Sequence, residues 1–134
     1  MTVRVGVVLD HSALLAYARL EGLAVGELLT VLAEDGDVAG IPAACLLTAH
    51  AALAGDPAAQ GRLAGLAGHP DAAVVVLPLL GADAVDIIAT QDKAGELIGR
   101  HAVIEAARRQ VPLATYQAAA ARPEVDSVLD LAAH

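Results

Sequence analysis

Asp10 and Ser12 lie in the stretch of this 134-residue chain whose residue types and spacing are best suited to chemistry. A β-branched run that begins at Arg4 precedes Asp10 and predicts a buried strand, because valines fit a pleated surface covered on both faces. Apolar residues at helical spacing follow Ser12. Asp10 is therefore predicted at the carboxyl end of a strand, where the chain turns into a helix. Ligands and metal ions are commonly held at that edge of an open α/β sheet.

Predicted helices and strands alternate along the rest of the chain. Strands are predicted at 38–41, 73–77 and 111–115, and 125–131 is predicted to be a last strand or a short helix. Helices are predicted at 25–32, 42–55 and 57–67, and over a long region, 83–110, that is interrupted near Gly95 or Gly99. This alternation implies right-handed βαβ units. We therefore expect a single domain over residues 1–134 with a three-layer α/β/α fold and a central, mainly parallel sheet.

Four stretches in this order resemble the motifs of the PIN-domain family of metal-dependent ribonucleases. The strand-Asp10-x-Ser-helix opening resembles the first motif, and the proline-led helix of 41–50 resembles the second. The helix of 101–109, which ends in a basic pair, resembles the third, and the Leu-Ala-Thr strand end within 112–117 resembles the fourth. Order and spacing fit from about residue 4 to 117. The resemblance implies a PIN-like fold.

The site residues implied by the resemblance depart from the acidic pattern of the family. That family places several carboxylates together, so that one or two Mg²⁺ or Mn²⁺ ions bind and activate water at the scissile phosphate. The corresponding positions here are Asp10, then Ala49 or His50, then His101, and then Gln117. Ser12 and Thr115 complete the implied pocket. With imidazole and amide in place of carboxylates, the site is expected to hold Mg²⁺ poorly.

One interpretation keeps a metal at this site. Glu105 follows His101 by four residues, one helical turn along the same face, so its carboxylate could turn toward the site. Asp10, His50, His101 and Glu105 would then form a mixed oxygen and nitrogen set suited to Mn²⁺, Zn²⁺ or Fe²⁺. Asp10 and Glu105 would be the catalytic carboxylates, and Asp10 a metal ligand.

The other interpretation assigns the same residues to structure. The two histidines fill a vestigial pocket as neutral polar groups, and Glu105 pairs with Arg108 or Arg109 on a solvated face. Asp10 caps the first helix together with Ser12 by accepting backbone N–H bonds.

Composition limits the partners and the location that we expect. Eight basic residues against 16 acidic ones give a formal net charge of −8, and the aromatic residues are two tyrosines. Nucleic-acid binding usually needs a basic patch or stacking aromatic rings, so RNA is expected as a partner only if the chain is a ribonuclease. The sequence has neither a secretory signal nor an apolar stretch of the ~18 residues that a membrane span needs, which predicts a cytoplasmic location.

From the sequence we expect a catalytically degenerate PIN-like domain that acts as a binding or regulatory module and needs no cofactor. The alternative is a ribonuclease with Mg²⁺ or Mn²⁺ in an altered site, similar to the toxins of bacterial toxin–antitoxin pairs. Those toxins are commonly dimers and each is paired with an antitoxin, so the resemblance implies a homodimer and a protein partner of the antitoxin kind. The content of hydrophobic residues, 57%, also predicts a homodimer, with the first helix or the 25–32 helix in the interface.

Overall fold

A sheet of five parallel strands forms the centre of the chain. The structure, a computed structural model, describes residues 3–69, 71–89 and 97–133. Its strands are β1 (Arg4–Leu9), β2 (Asp37–Pro42), β3 (Val74–Leu77), β4 (Leu113–Thr115) and β5 (Val128–Asp130). Its helices are α1 (His11–Ala18), α2 (Ala24–Glu34), α3 (Ala43–Ala52), α4 (Pro57–Gly68), α5 (Gly81–Ala89), α6 (Leu97–Arg109) and α7 (Ala118–Ala121), and a 3₁₀ turn covers Leu131–Ala133.

The strand order across the sheet is β3-β2-β1-β4-β5. The first two crossovers move from β1 to β2 and on to β3, and the third returns across the sheet to β4, beside β1. Because parallel crossovers are right-handed, the helices before and after this reversal cover opposite faces. The expected three-layer α/β/α fold is confirmed. The sheet, predicted to be mainly parallel, is parallel throughout the described ranges.

The reversal of direction places a crevice between β1 and β4. After β1 the chain continues to β2 on one side of the crevice, and after β4 it continues to β5 on the other side. Open α/β sheets commonly hold ligands where the connections diverge in this way. Leu9 pairs with Ala114 in the parallel register, so the residues that follow them, Asp10 and Thr115, come out at the same edge. The topology therefore brings these two polar side chains together.

Buried aliphatic side chains and alanines hold the strand ends in place. Val8 and Leu9 of β1 are fully buried, and they belong to one core cluster with Leu14 of α1, Ile41 of β2 and Leu63 of α4. Alanines also contribute to this core, and Ala13, Ala39 and Ala114 are fully buried. Within the described ranges, no helix has both the length and the apolar content needed to cross a membrane.

Some element boundaries differ from the sequence prediction. Pro42, predicted inside the third helix, has an extended backbone and ends β2, so that α3 begins at Ala43. α6 continues through Gly99, because one glycine costs a helix only about 1 kcal/mol; Gly95 lies outside the described residues. The segment 125–131 combines both predicted alternatives, since β5 is followed directly by a 3₁₀ turn.

Two glycine-to-alanine substitutions should change stability in opposite directions. A Cβ at Gly40 in β2 would lie 2.7 Å from Leu77 Cδ1 and 3.1 Å from Val5 Cγ1, so Gly40→Ala overpacks the core and should cost about 1–3 kcal/mol. Gly61 on α4 has nothing within 4 Å of that position, so Gly61→Ala should stabilise by about 0.5–1 kcal/mol through helix propensity. Urea denaturation measures both. Equal effects of the two substitutions would contradict the packing of β2 against β3.

Candidate functional site

Asp10 caps α1 at the crevice between β1 and β4. It is 6% exposed, its backbone is extended, and its Oδ1 accepts a hydrogen bond of 3.1 Å from the backbone N–H of Ala13. The first amides of a helix have no partner within the helix, and a carboxylate there also interacts favourably with the helix dipole. The capping role predicted for Asp10 is therefore present in the structure.

Two hydroxyl groups complete the hydrogen bonding of this carboxylate. Ser12 Oγ donates to Asp10 Oδ1 at 2.6 Å, and Thr115 Oγ1 donates to Oδ2 at 2.5 Å. The two hydroxyls are 3.2 Å apart, but each has already given its one hydrogen to Asp10. Each also accepts a backbone N–H, Ser12 from Tyr116 at 3.0 Å and Thr115 from Gln117 at 2.9 Å. Both carboxylate oxygens of Asp10 are thus bound by donors of the protein itself.

His101 is buried in α6 and caps α3. Its Nδ1 accepts a 3.3 Å hydrogen bond from the backbone N–H of Ala44, one of the amides at the start of α3. Nδ1 therefore carries no hydrogen, and the neutral ring is protonated at Nε2. Within the described residues, Nε2 makes no hydrogen bond and lies 3.8 Å from Glu105 Oε1. Burial lowers the pKa of His101 and so favours the neutral ring, and the negative charge of Glu105 opposes this effect only in part.

Both carboxylate oxygens of Glu105 accept hydrogen bonds from arginines. Oε1 accepts from Arg108 Nη1 at 2.9 Å, and Oε2 accepts from Arg109 Nε at 3.1 Å. Arg108 also donates to both oxygens of Asp83 on α5, each at 2.7 Å. The pairing with arginine was one of the predicted alternatives, but the solvated face predicted for it is wrong. The Glu105 side chain is only 2% exposed, and Arg108 bonds both it and Asp83 of α5.

The structure does not bring His50 to Asp10. His50 is exposed near the end of α3, whereas its neighbour Ala49 is buried, and the His50 carbonyl accepts a hydrogen bond from Gln60 of α4 at 3.0 Å. In the part of the chain that the structure describes, no group of three or more His, Cys, Asp or Glu side chains could hold a metal ion. Among those residues, Asp10, His50, His101 and Glu105 therefore do not form the mixed group of metal ligands that one interpretation predicts.

A pocket of about 150 Å³ opens beside Asp10. Besides Asp10 and Gln117, its lining residues are His11, Gly99, Arg100, Val103, Leu113, Ala120, Ala121 and Glu124. Asp10 and Gln117 thus meet at the predicted edge of the sheet, while His101 is not part of the lining. Sequence reasoning missed Arg100 and Glu124, whose side chains form a 2.9 Å ion pair. They lie 24 residues apart, so no local pattern signals this contact.

Cys45 lies on α3 close to the same carboxylate. It is fully buried, and burial, together with the nearby charge of Asp10, raises the pKa of its thiol to about 12. A thiol with so high a pKa is not a nucleophile at neutral pH, so Cys45 acts as a small core residue.

Comparison with solved structures identifies the fold. The chain resembles a chain in the crystal structure of VapBC2 from Rickettsia felis bound to a DNA fragment from their promoter, with a TM-score of 0.65 over 92% of this chain and 96% of that one. Sequence identity is 13%, so the likeness concerns the fold alone. No protein-family model and no curated protein matches the chain. The fold is PIN-like, as the order of the motifs predicted.

Two capping aspartates allow the hydroxyl network around Asp10 to be measured. Asp10→Ala removes a helix cap, worth about 1 kcal/mol. The hydroxyls of Ser12 and Thr115 can then bond to each other, but one of their two hydrogens loses its acceptor. We therefore expect a loss of about 2–3 kcal/mol in the free energy of unfolding. Asp56 caps α4 through a similar 3.1 Å bond from the N–H of Ala59 but is exposed, so Asp56→Ala should cost about 1 kcal/mol. Urea denaturation provides both values. Equal losses would show that the hydroxyl contacts contribute nothing.

Proposed function

We propose that this chain is a PIN-like domain that does not cleave RNA and serves as a binding or regulatory module. The observation that carries the proposal is the state of Asp10, whose carboxylate oxygens accept three hydrogen bonds from protein donors. Asp10 is the one carboxylate in its expected family position. A divalent cation would have to displace one of these donors in order to bind it.

The other residues of the implied site also support this proposal. Hydrolysis of a phosphodiester with metal ions needs several anionic ligands to hold the cations beside the phosphate. His101 is committed to the N–H of Ala44, Glu105 is committed to two arginines, and Gln117 has no charge. These three side chains therefore do not replace the carboxylates that the family uses.

The charge of the molecule supports the same conclusion about RNA. The formal net charge is −8, and the pocket beside Asp10 contains one cation, Arg100, against the carboxylates of Asp10 and Glu124. Without metal ions such a surface repels phosphate groups, and an RNA partner gains little from counterion release.

An RNA-cleavage assay tests the proposal. With Mg²⁺, Mn²⁺ or Zn²⁺, the purified protein should show no cleavage above the level of the Asp10→Ala variant, because too few carboxylates are available to hold the ions. The Asp56→Ala variant is the matched control for loss of a helix cap, and an active metal-dependent ribonuclease on the same RNA is the positive control.

If the chain is instead a ribonuclease, the same assay should show metal-dependent cleavage. Cleavage that requires Mn²⁺ or Zn²⁺, disappears in Asp10→Ala and persists in Asp56→Ala would overturn the binding-module proposal. The pocket lined by Asp10 and Gln117 would then be the catalytic site, and the ion would have to displace Ser12 or Thr115 from Asp10.

We further propose that a second copy of the chain covers an apolar surface at α5. The exposed large apolar side chains include four from one continuous segment: Leu79, Leu80, Val85 and Ile88, here called the α5 surface. Val85 is 66% exposed and Ile88 70%, and the two share a helix face. The residues of α1 are buried or half-buried, so the predicted role of the first helix in an interface is not favoured. The exposed Val31 leaves α2 as the other helix that the sequence predicts in a dimer interface.

Light scattering at micromolar concentrations tests this interface. We expect a dimer mass for the wild-type chain and a monomer mass for Ile88→Glu, because a buried unpaired carboxylate opposes association. Val31→Glu, at a residue 54% exposed on α2, is the matched control and should remain dimeric. A monomer mass for the wild-type chain would contradict the proposal, and a monomer produced by Val31→Glu alone would move the interface to α2.

A protein partner of the antitoxin type is the other association that we propose. The likeness to a chain of VapBC2 and the resemblance to PIN toxins support it. We expect such a partner to meet this chain in the cytoplasm. Co-expression with a small protein encoded beside this chain, followed by co-purification at a fixed stoichiometry, is the corresponding experiment.

A further inference from the structure

We infer that the pocket beside Asp10 binds a small organic cation: a primary amine on an apolar body about the size of a six-membered ring. The inference rests on the proposed function, because the pocket is free for an organic ligand only if it holds no metal ion. It names the ligand chemistry of the binding module.

The charges that line the pocket favour a cation. Asp10 and Glu124 each carry a negative charge and Arg100 carries a positive one, so the charged lining side chains sum to −1. A monocation brings the occupied pocket to neutrality, whereas an anion would add a second uncompensated charge. Carboxylates and phosphates of similar size are therefore disfavoured.

The lining also offers oxygen acceptors for an ammonium group. In the described part of the chain, Glu124 Oε2 accepts from Arg100 Nη1, and no hydrogen bond to Oε1 is present. Gln117 lies at the start of α7, but its side chain makes no capping hydrogen bond, and the residue is exposed. An ammonium group has three donors and no acceptor, so the free oxygens of Glu124 and Gln117 match it.

The volume of the pocket and its apolar lining indicate the shape of the apolar part of the ligand. Val103, Leu113, Ala120 and Ala121 contribute hydrocarbon to a pocket of about 150 Å³. Apolar cavities of about 150 Å³ in other proteins accept a benzene ring, whereas drug-sized ligands use about 300–1,000 Å³. The pocket therefore suits a ring with one short polar arm.

Three probes of nearly equal shape test the charge preference. Benzylamine, benzyl alcohol and benzoate are titrated at neutral pH, with a chelator present, and followed by ¹H–¹⁵N NMR of backbone amides and of the Gln117 side-chain amide. Benzylamine should bind saturably and at least tenfold more tightly than benzoate, with benzyl alcohol between them. Shifted signals should cluster at residues 99–103 and 117–124.

Two variants and one control locate the binding. Glu124→Gln should weaken benzylamine about tenfold, and Ala121→Leu should abolish binding by filling the pocket. Glu34→Gln, on the exposed end of α2, is the matched charge control and should bind as the wild type does. Benzoate binding as tightly as benzylamine, benzylamine binding unchanged in both pocket variants, or no binding of any probe at millimolar concentration would overturn the inference. RNA cleavage is measured separately, so failure of the proposed function is distinguishable from failure of this site.

Discussion

A buried carboxylate at the junction of β1 and β4 is the constraint on which the site depends. Asp10 is 6% exposed, and a carboxylate taken out of water is costly unless donors surround it. Here the donors are an amide at the start of α1 and two hydroxyls, one of which belongs to Thr115, the last residue of β4. The same contacts therefore balance the charge and join two neighbouring strand ends.

Two polar residues of α6, an imidazole and a carboxylate, also make hydrogen bonds that hold neighbouring helices in place. His101 supplies an acceptor to the first turn of α3, which has Pro42 as its N-cap residue and no side-chain cap of its own. Glu105 holds Arg108 in a position where the same guanidinium also binds Asp83, so that α5 is attached to α6. The polar interior around the crevice thus links α3, α5 and α6, and loss of one partner would leave another group buried without a hydrogen bond.

Local sequence patterns predicted the elements and the strand-end positions of Asp10 and Thr115, because periodicity and β-branching act within a few residues. The contact between His101 and Ala44 spans 57 residues, and the one between Arg108 and Asp83 spans 25, so no window of the sequence contains both partners. The pairing of Glu105 with arginine was local and was predicted. Its burial was not, because burial depends on how distant parts of the chain pack around α6.

Helical geometry explains why the choice between Ala49 and His50 at the second acidic position matters. Neighbouring residues of a helix point about 100° apart, so a shift of one position exchanges the core for solvent. Ala49 is 1% exposed and His50 is on the surface. The sequence left that choice open because the motif fits either residue, and only the packing of α3 against its neighbours decides between them.

The buried thiol of Cys45 makes the chain its own reporter of local opening. It is the single cysteine of the sequence, it lies on α3 near Asp10, and its pKa is raised to about 12. Since the thiolate is the form that reacts, alkylation at neutral pH must wait until α3 moves away from its neighbours. The rate of thiol labelling, compared with the rate in the unfolded chain, therefore gives the opening equilibrium of the region around the crevice without any engineered label.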